Sequence, residues 1–235
     1  MRTSGAQTLL MGGQACVFYG AAEFSRNIDF AVLCDADSLS RVQNALHELQ
    51  ARVIAVPPFE LKYLQRGHAI HFRCSHPEAE RLRVDLMSVM RGVDSFARIW
   101  ERRTVFESQG ALYDLMALPD LVQAKKTQRD KDWPMLTRLV ENNYFNNRHE
   151  PSPIRIEFWL RELRTPALLA EAALLFPTQA AAHPRPAVRS AVANQGEESI
   201  RMALLAEQEA ERQADRAYWA PLKAELEQLR LSARR

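Results

Sequence analysis

Three short stretches of this sequence carry residues whose types and spacing suit phosphate and divalent-metal chemistry. The first is Gly12-Gly13, at the end of the apolar run Thr8-Leu9-Leu10-Met11. Glycine lets a backbone approach a ligand closely, and a helix entered at that turn offers N–H groups that a phosphate can take. The second is Ser25-Arg26-Asn27-Ile28-Asp29-Phe30. Residues two apart on a strand project to one face, so Asn27 and Asp29 point together, away from Ile28 and Phe30. Oxygen donors at that spacing suit Mg²⁺ or Mn²⁺, since magnesium takes one or two carboxylates and completes its shell with phosphate oxygens and water. The third is Arg83-Val84-Asp85-Leu86-Met87, in which Asp85 faces away from Val84 and Leu86. If the strands of Asp29 and Asp85 are neighbours, the two carboxylates converge. Each stretch alone also has a plain structural reading: Gly-Gly as a turn, Asp29 and Asp85 as solvated carboxylates.

The elements that must position these residues follow from hydrophobic period. Residues 7 to about 112 alternate short β-like runs with helical stretches. Thr8–Met11 reads as a buried strand, Gln14–Tyr19 as a short helix, and Ile28–Leu33 as a strand with Ile28, Phe30 and Val32 on its apolar face. Asp37 or Ser38 is placed to cap the next helix, where Leu39, Val42, Leu46 and Leu49 recur at helical spacing. Ala51–Val56 reads as a strand closed by Pro57-Pro58. His68–Cys74 and Leu82–Val89 alternate, with a turn at Ser75–Glu78, so an antiparallel hairpin is expected. On the first of these strands His71 and Arg73 share a face and are candidates for substrate contact. A helix near Val93–Arg103 and an extended piece over Thr104–Leu115 complete this part.

From residue 113 the chain reads as helical. Leu118-Pro119-Asp120 has the form of a helix start with proline in the first turn. Pro166 starts another helix, and Ala180–Pro186, with two prolines, reads as a linker. Glu197–Leu231 reads as one long charged helix, interrupted or restarted at Pro221. Its apolar face (Ile200, Leu204) fits packing on its own domain, and also a homo-oligomer formed through the C-terminal helices. Tyr218 and Trp219 are candidate anchors for that helix, and Phe24 and Trp133 read as packing aromatics. The expected organisation is α+β: a small mixed β-sheet with flanking helices over 1–112, then a mostly helical subdomain over 113–235.

Bulk properties exclude several classes. A net charge of +2 over 235 residues, with basic residues spread along the chain, argues against a protein that lives mainly on DNA backbone contacts, while leaving room for a local basic groove. Cys16, Cys34 and Cys74 lie far apart in apolar runs, without zinc-type spacing, and read as small buried hydrophobes in a reducing compartment. No apolar stretch approaches the roughly 20 residues of a membrane span, and the N-terminus lacks a signal-peptide shape. A cytoplasmic protein with no membrane partner is expected.

The order of the motifs adds a resemblance. Leu10-Met11-Gly12-Gly13-Gln14-Ala15, then Tyr19-Gly20, then Ser25-x-Asn27-Ile28-Asp29-Phe30, resembles the opening of nucleotidyltransferases of the abortive-infection toxin type. These belong to the superfamily that includes DNA polymerase beta and the aminoglycoside nucleotidyltransferases. Val84-Asp85-Leu86 resembles the strand of their third carboxylate. Leu118-Pro119-Asp120-Leu121-Val122-x-x-Lys125, with Arg129 and Asp132, resembles the helix that follows their catalytic domain. The resemblance covers roughly residues 8–140. It implies nucleotide contacts from Gly12, Gly13, Ser25 and Lys125, with Lys125 either approaching the phosphates or pairing with a nearby acid. It implies metal ligation by Asp29 with Asp85 as the third carboxylate, and a Mg²⁺- or Mn²⁺-assisted transfer of an NMP from an NTP to a hydroxyl. The acceptor is left open among a small molecule, an RNA end and a protein. Asn27 departs from the pattern, standing where the family carries its first aspartate. An amide offers a neutral oxygen without the charge that holds a divalent ion beside a triphosphate. The alternative is therefore a degenerate member that binds nucleotide or a partner, or a component of a toxin–antitoxin pair by analogy with the family.

Overall fold

The computed structural model describes residues 1–233. It is an α+β protein built on a seven-stranded mixed sheet, followed by a long helical region. In chain order the sheet region holds β1 (Thr8–Met11), α1 (Gly12–Phe18), β2 (Asn27–Val32), α2 (Ala36–Glu48), β3 (Arg52–Val53), α3 (Leu61–Arg66), β4 (Ile70–Arg73), β5 (Arg83–Met87), α4 (Phe96–Glu101), β6 (Thr104–Ser108), β7 (Ala111–Leu115) and α5 (Leu118–Ala124). The helical region continues with α6 (Asp132–Asn147), α7 (Pro153–Glu162), α8 (Pro166–Leu175), α9 (Pro177–Ala182), α10 (Pro186–Val192) and α11 (Glu197–Ala233). Among the described residues, no helix is long and apolar enough to cross a membrane.

The strand order is β3-β4-β5-β2-β1-β7-β6. β1 runs antiparallel to β2, and β2 runs parallel to β5. All four residues of β1 are buried, as expected of a central strand covered on both faces. The apolar face of the β4–β5–β2 side packs Ile70, Phe72, Val84, Leu86 and Val32 against Val42 and Leu46 of α2 and Leu64 of α3. Strict alternation then turns His71, Arg73, Arg83, Asp85, Asn27 and Asp29 to the opposite face.

Several local expectations shift for identifiable reasons. Asp35, rather than Asp37 or Ser38, caps α2: its Oδ1 accepts from the Ser38 N–H at 2.7 Å. The strand expected over 51–56 reduces to Arg52–Val53, with one more bond from the Ile54 N–H to the His71 carbonyl (2.9 Å), and Pro57-Pro58 carry no N–H to extend the pairing further. The extended piece over 104–115 is a hairpin. Gln109 (φ 52) and Gly110 (φ 74) both take left-handed backbone between the Ser108–Ala111 pair, which is the geometry of a two-residue hairpin turn. β7 then joins the sheet through Leu10 and Leu115, so an expected domain limit at 112 cuts through a paired strand.

The chain divides into two compact units, Met1–Ala124 with the chain from Ala217 onward, and Lys125–Arg216. In the first, Glu225 pairs with Arg66 and lies 2.9 Å from Nε2 of the buried His68. α11 is continuous through Pro221. In the second unit, α7, α8, α9 and α10 all carry proline in the first turn, where the missing N–H has no helical partner to lose. This explains why Ala180–Pro186 is not a linker. Pro186 opens α10, and the preceding Arg185 is buried, donating to the carbonyls of Leu160 (2.8 Å) and Leu163 (2.9 Å) and pairing with Glu207. Trp133 is buried as expected, with its Nε1–H on the Thr127 carbonyl, whereas Phe24 is 69% exposed and packs no core.

Candidate functional site

The site begins at the junction of β1 and α1. Gly12 has φ +64, and a side chain there would place its Cβ 2.1 Å from Asp29 Oδ2. A Cβ at Gly13 would lie 2.6 Å from Ser25 Oγ, so Ser25 would have to turn away to admit a side chain. Close approach therefore requires glycine at Gly12, and the turn is folded directly onto Asp29 and Ser25. Ser25 Oγ donates to the Asn27 carbonyl at 2.8 Å, which fixes the entry into β2. Tyr19, at the far end of α1, anchors that helix by donating to the Met116 carbonyl (3.0 Å) and lying 2.9 Å from Thr104 Oγ1.

β2 and β5 are hydrogen-bonded neighbours, and Asp29 is the direct cross-strand partner of Asp85. Neighbouring strands lie about 4.8 Å apart, so the two carboxylates project from adjacent positions on one face. The convergence expected of Asp29 and Asp85 is thus present, beside Gly12-Gly13. Asn27 lies two residues before Asp29 on β2, opposite Arg83.

Two residues outside the expected acid set shape the site. Arg83 Nε donates to Asp85 Oδ1 at 2.8 Å, and His71 Nδ1 lies 2.9 Å from the same oxygen. A third contact joins Arg83 Nη2 and His71 Nδ1 at 3.1 Å. Burial would push the Asp85 carboxyl up; the hydrogen bonds and charges of His71 and Arg83 outweigh it and hold the group below the usual carboxylate range. A carboxylate so stabilised is a weak base and a good electrostatic anchor. His71 was legible from its strand face; Arg83 stands two residues before Asp85, and period-2 alternation would have found it.

Lys125 belongs to the second compact unit. Its ammonium is buried and lies 3.2 Å from Asp132 Oδ1, so of its two expected roles the structure contains the pairing with an acid. Asp132 Oδ2 also accepts from Thr127 Oγ1 (2.6 Å) and Arg129 Nε (2.7 Å). Burial raises the Asp132 carboxyl, but Lys125, Thr127 and Arg129 together bring it below its ordinary value.

The donor set can be tested against a divalent ion. Among the described residues, no group of three or more His, Cys, Asp or Glu side chains is arranged to hold a metal. A magnesium ion that accompanies a phosphate substrate needs only one or two carboxylates, and Asp29 and Asp85 supply two. The side-chain contacts of Asp85 with His71 and Arg83 both fall on Oδ1. Asp29, Asp85 and the neutral oxygen of Asn27 therefore fit one ion better than two.

No protein-family model matches this chain, and no curated protein matches it.

Proposed function

We propose that this chain binds a nucleoside triphosphate beside Gly12-Gly13 and transfers its NMP to a hydroxyl acceptor, as a nucleotidyltransferase. The observation that carries the reading is the register of β2 and β5, which makes Asp29 and Asp85 direct partners next to a side-chain-free turn. The roles follow from the chemistry of each group. Gly12 and Gly13 admit the phosphates to the backbone, and Ser25 supports that turn from beneath. Asp29 and Asp85 would hold Mg²⁺ or Mn²⁺, with Asn27 as a neutral donor; when bound, the ion offsets triphosphate charge. Asp85, with His71 on the same oxygen, orients the acceptor hydroxyl. In the transfer a bond forms between the acceptor oxygen and the α-phosphorus. The bond from that phosphorus to the leaving pyrophosphate breaks with its electron pair, and the hydroxyl proton passes to the imidazole of His71, which Asp85 holds in place.

A second reading, a nucleotide- or partner-binding relative that transfers nothing, is favoured by one observation: Asn27 faces Arg83 in register, so the row beside the carboxylates carries a guanidinium and no first aspartate. A thermal-shift titration with Mn²⁺ or Mg²⁺ and each NTP separates the two readings, using the natural chain and Asn27→Asp. A ligand at a hundred times its Kd adds about 2.7 kcal/mol, which for a chain of this size is a shift of several degrees. The natural chain is expected to shift with at least one NTP. Asn27→Asp is expected to reach the same shift at roughly tenfold less metal, about 1.4 kcal/mol of affinity. Transfer of labelled NMP by Asn27→Asp alone would identify the natural chain as the binder. No shift in either protein with any NTP would remove the nucleotide site altogether.

A further inference from the structure

The row of residues next to the paired carboxylates has a charge pattern that folding does not explain. Asn27 is opposite Arg83, Arg83 opposite Arg73, and Arg73 opposite Arg52, on the four adjacent strands β2, β5, β4 and β3. Cross-strand partners project to the same face, so three arginines stand in line over about 10 Å. Like charges directly opposite one another on a sheet are destabilising. Arg83 is offset by Asp85. Arg73 has only the Arg81 carbonyl at 3.4 Å, and neither Arg73 nor Arg52 meets a carboxylate among the described residues. Both are exposed. A repulsive row kept without an internal counter-charge is suited to an anion from outside.

Its position selects the anion. The next row on the same face, two residues along each strand, is His71, Asp85 and Asp29. Gly12-Gly13 follows β1, which flanks Asp29 on the side away from β5. The candidate phosphate turn and the arginine row therefore lie on opposite sides of the carboxylates. Arg52 sits four strands from β1, about 19 Å at 4.8 Å per strand, too distant to share a nucleotide's triphosphate with Gly12-Gly13. Guanidinium groups in a line match successive phosphates, each able to take two parallel hydrogen bonds.

We propose that Arg52, Arg73 and Arg83 bind the phosphodiester backbone of a single-stranded nucleic acid, whose terminal hydroxyl is the acceptor presented at Asp85. The binding surface stands on the strand register; the acceptor role rests on the nucleotidyltransferase reading. A strand end, rather than a duplex, fits a row that terminates at the carboxylates, because the hydroxyl that reacts must be the last group on the track.

The test is fluorescence anisotropy of labelled oligouridine and oligothymidine of about a dozen nucleotides, titrated from about 50 to about 200 mM salt. It compares the natural chain, Arg52→Gln/Arg73→Gln, and the charge-matched control Arg98→Gln/Arg138→Gln. For single strands the logarithm of affinity falls with the logarithm of salt by about 0.7 for each neutralised phosphate, so Arg52 and Arg73 together contribute a slope of about −1.4, a roughly sevenfold loss across that range. The natural chain and the control are expected to bind with at least that slope. The Arg52/Arg73 variant is expected to bind at least tenfold more weakly at low salt, with a slope shallower by about 1.4. Equal binding by all three proteins, or no binding by the natural chain, overturns the proposal. NTP thermal shifts are read in parallel on the same samples. A variant that loses its NTP shift and keeps oligonucleotide binding assigns the row to the triphosphate and also overturns it. Loss of oligonucleotide binding in a protein that never shifts with NTP supports the surface while the transfer reading fails.

Discussion

Replacing Asp132 with asparagine is expected to lower the unfolding free energy by roughly 3–5 kcal/mol at neutral pH, the cost of breaking a buried ion pair from one side. Asp132 is 2% exposed and its two oxygens take Lys125, Thr127 and Arg129. The amide keeps an acceptor oxygen for Thr127 or Arg129 but leaves the Lys125 ammonium, itself buried, without its counter-charge. The effect has a definite pH dependence. The folded-state carboxyl lies below its unfolded value of about 3.9, so its contribution is fully present above that value and is lost as pH falls through the folded pKa. Denaturation curves of the natural chain and Asp132→Asn should therefore stand well apart at pH 7 and approach one another in strong acid. Parallel curves with a constant gap down to low pH would assign the loss to packing alone.

Gly12→Ala is expected to disable the proposed nucleotide site while leaving a folded protein. A left-handed backbone residue with a side chain costs about 1–3 kcal/mol where the surroundings hold it there. Here the added methyl would also meet Asp29 Oδ2 at 2.1 Å. Either Asp29 leaves its position beside Asp85, or the turn opens; both outcomes separate the proposed phosphate seat from the carboxylates. The expected result is a cooperative thermal transition lowered by several degrees, together with complete loss of any NTP-dependent shift. Retention of the full shift in Gly12→Ala would disconnect the Gly-Gly turn from nucleotide binding.

The parts of the fold that could be read from the sequence are those written in periodicity. Alternation in Ile28–Phe30 and Val84–Leu86 turns Asp29 and Asp85 to one face, and the spacing of Val42 and Leu46 supplies the helix that covers the other. Strand adjacency is a different kind of information. That β2 pairs with β5 in the register Asp29–Asp85 follows from the whole sheet order, and no local pattern encodes it. The same holds for the arginine row: Arg52, Arg73 and Arg83 lie in three separate segments and become one feature only through two pairings. Where local chemistry misled, a tertiary contact had overridden it. His183-Pro184-Arg185-Pro186 has linker composition, yet Arg185 is buried against three partners from α7 and α11 or the turn after α7. Gln109-Gly110 makes a tight hairpin without the Asn-Gly or Asp-Gly pair that signals one.

The return of the last helix residues to the first compact unit bears on how the protein can be made and cut. During synthesis the β2–β5 pairing needs residue 87, and the completion of the sheet by β7 needs residue 115. The segment that carries Glu225 emerges more than a hundred residues later, and until then the buried Nε2 of His68 and the guanidinium of Arg66 lack their carboxylate. A nascent chain can thus build the carboxylate pair early and seal that flank of the sheet region only once residue 225 has been made. A fragment ending at Ala124 is for the same reason an opened domain, not a minimal one.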